Sequence, residues 1–263
     1  MSVGIRRRVK GLFGEIAGRA GMYDAFQTHM TIVAFHRVSN DLASDGLTCS
    51  PRKFESFCRF FQRYFTVLSL SEQIVSARAG KRLGGTLSIT FDDGYRDNLD
   101  VAAPILKKLG LPATFFVTTG FVESTIVPFW DRDLPRQPGW MTWNDVRSLR
   151  NQGFEIGNHT DTHLDMGSAS ADQIRAELQL SQERFSDELG TRPHLFAYPF
   201  GGREHISEMA RDLVREAGFG CCVACHGGVN DVAADPFRLN RIGIAQWFAT
   251  PGQFGFELLN GKA

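Results

Sequence analysis

Eight short apolar, β-rich runs, each followed by a stretch of helical period, constrain this chain more than any other feature. They span 31–35, 65–69, 87–91, 113–117, 154–157, 195–199, 221–225 and 239–244. Runs of this kind alternating with helical segments build a parallel sheet with helices outside it, rather than a sandwich or a bundle. Eight of them predict an α/β barrel in a single domain. The helices read equally directly. Phe54, Phe57, Cys58, Phe61 and Phe65 recur at three and four after Ser50-Pro51, a cap followed by a proline at the first helical position. Val101, Ile105, Leu106 and Leu109 precede Gly110, and Ile206, Met209, Leu213 and Ala217 precede Gly218, both glycines being placed to close a helix. The one long irregular connection, 118–141, has the length of a functional or a disordered loop.

A hydrophobic content of 43% with 22% charged residues supports one large core. The 29 basic and 29 acidic residues cancel, so no global positive field favours nucleic acid, and none is expected as a partner. The neutrality conceals a basic tip. Arg6, Arg7, Arg8, Lys10 and Arg19 stand against Glu15 alone, so residues 1–20 carry +4 and the rest of the chain −4. Within that tip Ile5, Val9, Leu12, Phe13 and Ile16 form a stripe at helical spacing, and residues 1–30 read as a basic amphipathic extension to a barrel domain over 31–263. Such a stripe suits an interfacial helix on anionic lipid, or a helix packed by the stripe onto the barrel. The second is the expectation, because surface helices of that pattern are common.

The arginines are not followed by the apolar stretch of a secretory signal, and no run is long enough to span a membrane. The expected location is therefore cytoplasmic, at the inner face of the membrane if the stripe meets lipid. Cys49, Cys58, Cys221, Cys222 and Cys225 are an odd number, which argues against a disulfide framework. Cys222-Val-Ala-Cys225-His226 formally matches a haem-attachment pattern. It lies in an apolar strand run, so buried thiols are expected instead.

Chemistry in a parallel barrel gathers where strands end. The polar residues there are His36, Asp92-Asp93-Gly94, Asn158-His159 and Pro199-Phe200-Gly201. Adjacent strand residues point to opposite faces, so Asp92 and Asp93 can reach one site only if the chain turns there, which Gly94 permits. His159 and His163, at i and i+4, can share a metal. A zincin helix would place Glu after the first histidine, where this chain has Thr160, so a hydrolytic base must come from elsewhere. Two histidines and one carboxylate leave positions open for water and substrate, the requirement of a catalytic rather than a structural site.

Taken in order, Thr90-Phe-Asp-Asp-Gly94, His159-Thr-x-x-His163 and Tyr198-Pro-Phe-Gly201 resemble the first three motifs of the polysaccharide deacetylases, the NodB-homology or carbohydrate esterase family 4 enzymes. The resemblance covers roughly residues 31–245. It implies a distorted (β/α) barrel, similar to a TIM barrel, and metal-dependent removal of acetyl groups from an N-acetylated polysaccharide or its precursor, exopolysaccharide included. By position, Asp92 resembles the family's base, while Asp93, His159 and His163 resemble the ligands of one divalent metal. Zinc leads, with cobalt, nickel or iron as alternatives. Metal-bound water is then the nucleophile. Phe200 sits where a backbone N–H helps hold the oxyanion, with Tyr198 beside it on the substrate side.

Two departures matter. The family's arginine beside Pro-aromatic-Gly is Ala197 here, and the last strand, Arg238-Leu-Asn-Arg-Ile242, lacks the usual acid histidine. A poly-N-acetylglucosamine deacetylase branch is similar in both respects and takes its acid from the first strand, where Val33-Ala-Phe-His36 corresponds. The resemblance thus implies His36 as general acid, and Arg241 is expected to replace the missing arginine and orient Asp92. An O-acetyl ester hydrolase and a catalytically inactive carbohydrate-binding barrel share the same motifs. The expected partner is a carbohydrate with N-acetyl groups; Trp130, Trp140, Trp143 and Trp247 offer faces for sugar rings, with Trp143 expected in the core.

Overall fold

The eight apolar runs become strands, most of them near-continuously buried as strands covered on both faces must be, with those at 66–67, 155–158 and 242–243 buried only in part or not at all. In the computed structural model, which describes residues 3–25, 29–42, 45–245 and 247–261, they are β1 (His29–Phe35), β2 (Thr66–Val67), β3 (Thr86–Phe91), β4 (Thr114–Val117), β5 (Glu155–Asn158), β6 (Leu195–Ala197), β7 (Cys221–Val223) and β8 (Ile242–Gly243). The side chains of residues 3–8 and of Ala25 are not described, so the predicted roles of Ile5, Arg6, Arg7 and Arg8 lie outside the described residues.

The order β1-β3-β4-β5-β6-β7 is parallel throughout. β8 lies on the other side of β1, with Val33 opposite Ile242. Between β7 and β8 the circuit is carried by one bridge, Val223 opposite Leu239, and by the Ala224 N–H donating to the Leu239 carbonyl at 2.7 Å. β3 distorts the ring further. Its start, Thr86-Leu87, pairs with β2 and its end, Thr90-Phe91, pairs with β4, so one edge serves two neighbours in succession. The protein is a distorted (β/α) barrel, as expected.

Several strands are shorter than their apolar runs for local reasons. Ser69 leaves the 65–69 run to cap the next helix, α3 (Leu70–Arg78), in a reciprocal box with Glu72. α2 (Pro51–Tyr64) is capped by Ser50 and buries Phe54, Phe57, Cys58, Phe60 and Phe61. α4 (Ala103–Leu109) ends on left-handed Gly110. α5 (Trp143–Asn151), α6 (Ala171–Leu189) and α7 (Glu208–Glu216) complete the outer layer. Between α2 and the sheet, Phe91 meets Phe35, Phe54 and Phe115 with ring centroids 5.5, 5.6 and 4.8 Å away.

One expectation is overturned. The amino-terminal helix α1 (Val3–Arg19) packs on the carboxy-terminal helix α8 (Pro251–Leu259) mainly through its small-residue face, the apolar stripe reaching α8 only where the Phe13 ring stands 6.3 Å from that of Phe256. Gly14 and Ala17 are buried, whereas Val9, Leu12, Phe13 and Ile16 are exposed. The cause is the closeness of the crossing: a Cβ on Gly14 would stand 1.8 Å from the Gly252 carbonyl oxygen, an approach only the small-residue face permits. Among the described residues no helix is long and apolar enough to cross a membrane.

Candidate active site

Asp92 and Asp93 leave β3 at its carboxyl end, and the turn that brings both to one site begins a residue earlier than glycine alone requires. Asp93 has φ 75° and Gly94 φ 93°. Left-handed backbone is uncommon outside glycine and concentrates at functional sites. Five described non-glycine residues adopt it, and four are Asp93, Thr160, His163 and Phe200, all in the motif segments.

The histidine loop is held from several sides. The Thr160 N–H donates to Asn158 Oδ1 at 2.8 Å. Glu177, on α6, accepts from the N–H groups of Asp161 and Thr162 at 2.9 and 2.7 Å and from the Thr162 hydroxyl at 2.7 Å. Thr119 donates its hydroxyl to Asp161 Oδ1 at 2.5 Å, tying the loop to the end of β4.

Three ligand atoms converge. Nε2 of His159 and Nε2 of His163 each stand 3.4 Å from Asp93 Oδ1, and all three residues are buried. That separation is long for a hydrogen bond. It matches the roughly 3.3–3.4 Å edge of a tetrahedron whose bonds are about 2.0–2.1 Å, the range for zinc with nitrogen and oxygen donors. Asp93 Oδ1 is buried with no hydrogen-bond partner among the described residues. His159 Nδ1 lies 2.8 Å from the Ala197 carbonyl, which can only accept, so the proton sits on Nδ1 and the Nε2 lone pair faces Asp93. The residues therefore fit a divalent metal. Electrostatics agree: burial alone would lift the Asp93 carboxyl, but His159 and His163 hold it well below the usual range. Burial lowers His163, favouring the neutral ligand form, whereas in His159 the same burial is outweighed by Asp92 and Asp93, and its pKa rises.

Arg241 comes from the residue before β8 and is completely buried. Its Nη1 and Nη2 grip Asp92 Oδ1 and Oδ2, each at 2.6 Å; Nη1 also donates to Thr90 Oγ1 and Nε to the Ala224 carbonyl, both at 3.0 Å. An arginine from just before the last strand thus holds both oxygens of Asp92. His36 ends β1, is 20% exposed, and places Nε2 3.9 Å from Asp92 Oδ2. Both groups, with Asp93, His159, His163 and Phe200, line one cavity of about 340 Å³. The Phe200 N–H makes no hydrogen bond among the described residues, and the Phe200 ring stands over His163 with centroids 4.5 Å apart.

Tyr198 does not join them. Its side chain is buried in the apolar layer beneath, edge-on to Phe196, under the Arg211 guanidinium, with its hydroxyl donating to the Phe237 carbonyl at 3.4 Å. Pro199 and left-handed Phe200 redirect the chain only after it, so the tyrosine still points inward. Of the tryptophans, Trp130 and the 65%-exposed Trp247 line the cavity, Trp140 stacks on Tyr95, and Trp143 packs against Phe185 in the core, as expected. All five cysteines are free; Cys225 lines the cavity and the others are buried.

Two supports were not found from sequence. Glu177 is one; it falls on a helix with nothing in the local pattern to mark it. The other anchors the long loop. Buried Arg37 ion-pairs with Asp131 and Asp45, Tyr95 donates its hydroxyl to Asp131 at 2.8 Å, and Trp130 Nε1 donates to Tyr95 at 2.9 Å. This sets Trp130 against His163 at 4.7 Å. The signal available was Arg37 itself, a charge next to His36 at the end of an apolar strand.

Comparison with known proteins places this site in context. The sequence model of the Polysaccharide deacetylase family matches residues 79–221, more than half of the chain. The peptidoglycan-N-acetylmuramic acid deacetylase PdaA of Bacillus subtilis (strain 168) is 30% identical over 50% of this chain and 44% of its own length. The poly-beta-1,6-N-acetyl-D-glucosamine N-deacetylase of Escherichia coli (strain K12) is 24% identical over 66% of this chain and 31% of its own. The chain spans less than half the length of these two relatives. Among solved structures, the Streptococcus pyogenes deacetylase PplD in complex with acetate superposes with a TM-score of 0.74 at 22% identity, covering 90% of this chain and 99% of that one.

Proposed function

This chain belongs to the polysaccharide deacetylase family, and from the geometry of its site we propose that it hydrolyses N-acetyl groups on a polysaccharide or its precursor, with Asp92 as base and His36 as acid. Asp93, His159 and His163 hold one divalent metal in this reading, zinc first. Bound there, the metal supplies Lewis acidity to the acetyl carbonyl and lowers the pKa of water at the site.

The chain's own groups carry the proton traffic. Burial alone would lift the Asp92 carboxyl, but the Arg241 guanidinium, assisted by His159, holds it below the usual range. Asp92 is therefore ionised at neutral pH and able to accept a proton from water. The Phe200 N–H is a donor to the oxyanion. The leaving amine needs a proton, and partly exposed His36 stands at the cavity to give it. Trp130 and Trp247 present apolar faces to sugar rings.

The carrying observation is the bidentate Arg241–Asp92 pair beside three converging ligand atoms in the cavity that also holds His36. The test is acetate release from N-acetylglucosamine oligomers after chelation and re-addition of zinc, cobalt, nickel or iron singly, with O-acetylated sugars as a second arm. The chelated protein is expected to be silent and re-metallated protein active on the N-acetyl arm. Asp92→Asn and His36→Ala are expected to lose about 10²–10⁴ in kcat while keeping their metal. Full turnover after chelation, or wild-type rates in His36→Ala, would overturn the assignment.

A further inference from the structure

The structure leaves α1 with its apolar side outward. Val9, Leu12, Phe13 and Ile16, at i, i+3, i+4 and i+7, are 41%, 64%, 56% and 53% exposed, and Met22 just beyond is 49% exposed. The opposite side is already occupied, since Gly11, Gly14 and Gly252 bring the backbones of α1 and α8 into contact, and Lys10 ion-pairs with Glu257 at 2.5 Å. The stripe is thus fixed toward solvent by the packing behind it.

We propose that this stripe is a docking surface for an anionic lipid bilayer. Residues 1–20 carry +4 on a chain of zero net charge. At about 100° per residue, position 6 falls along one side of the stripe and positions 8 and 19 along the other, while Lys10 is engaged by Glu257. Apolar residues flanked by cations are the pattern of a helix lying in the headgroup region, where burial and attraction to anionic lipid add. A second copy is a poorer occupant, because pairing the stripes brings +4 against +4. The helix that carries the stripe is joined by its other face to the chain segment that follows the cavity wall: a Cβ on Gly11 would stand 3.0 Å from Thr250 Oγ1, three residues after Trp247. Docking would hold the cavity near the membrane, where a lipid-attached glycan would meet it.

Cosedimentation of the full chain with phosphatidylcholine vesicles, and with phosphatidylcholine–phosphatidylglycerol vesicles, tests this. Binding is expected only to the second, weakening as salt rises. The Leu12→Asp/Phe13→Asp double variant, whose positions are exposed, is expected to keep its thermal midpoint and lose at least about tenfold in partitioning. Arg8→Glu/Arg19→Glu is expected to lose a similar factor on anionic vesicles. Equal partitioning of wild type and the Leu12/Phe13 variant would overturn the proposal. So would a dimer in gel filtration that this variant dissolves, with no vesicle binding by either form, since the stripe would then seat a second copy. Turnover on a soluble oligosaccharide is a separate readout, so failure here and failure of the catalytic assignment are distinguishable.

Discussion

The aromatic layer beneath α2 and the cluster at the strand ends are both buried, yet different forces hold them. Phe57, Phe61 and Phe254 are inaccessible to solvent and meet one another at ordinary ring separations, so their cohesion is dispersion and burial, with little directional demand. At the strand ends, Asp92, Asp93 and Arg241 are as deeply buried, but their order depends on hydrogen bonds with fixed directions and on left-handed backbone at Asp93, Thr160, His163 and Phe200. The layer supplies stability that the site consumes.

The sharpest test of that contrast is Arg241→Met. Breaking a buried ion pair while leaving its carboxylate typically costs about 3–5 kcal/mol. Activity should fall too, because Asp92 loses the charge that keeps it ionised. The pH dependence has a definite sign. Without the guanidinium the Asp92 pKa rises above its unfolded value, so the deficit is largest at neutral and alkaline pH and narrows as acid protonates the carboxyl. Denaturant melts from pH 5 to 8 would show it; a pH-independent deficit would mean the pair acts through packing alone.

Phe61→Ala probes the other region. Large-to-small replacement of a buried phenylalanine costs about 3–5 kcal/mol, yet kcat measured well below the melting point should stay at the wild-type value. A proportional loss of kcat would erase the distinction between the two regions.

Glu177→Ala removes three hydrogen bonds from the histidine loop without touching the cavity. Metal affinity is expected to fall about 10–100-fold with little change in thermal midpoint of the metal-free protein. Competitive titration against a chelator measures it, and unchanged affinity would assign the loop's order to its backbone.

The smallest effect belongs to Asp97, a carboxylate near the site without Asp92's bidentate partner. Burial raises it to about 6, against about 4 in an unfolded chain. Folding therefore takes up a proton between those values, and stability falls as pH rises through them. Asp97→Asn can still accept the Val38 N–H at Oδ1 and does not titrate. It should be more stable than wild type at pH 7 by on the order of 1 kcal/mol, with the gain gone near pH 4. Thermal melts at both values decide it.

Local period made the eight strands and the helix faces legible, because alternation of apolar runs and three-four spacing follow directly from burial. The candidate metal ligands were legible from residue type and spacing. Arg241 was legible only through a vacancy: Ala197 stands where an arginine was wanted, and Arg241, at the last strand, was another candidate. What escaped was direction. The stripe on α1 was plain in sequence, but its outward aim depends on Gly14 meeting Gly252, more than 200 residues away. Tyr198 shares a motif with Phe200, yet the turn falls between them. Glu177 and Asp131 act across loops, where no periodicity records the contact.

The position of Arg241 late in the chain sets an order of events during synthesis. The ribosome has delivered Asp92, Asp93, His159 and His163 long before the partner of Asp92, 149 residues downstream, emerges. Until then Asp92 has no counter-ion, and β1 lacks the neighbour opposite Val33 and Ala34. Translation itself thus acts as a timer, withholding the guanidinium from a nascent chain whose paired carboxylates and histidines are already made.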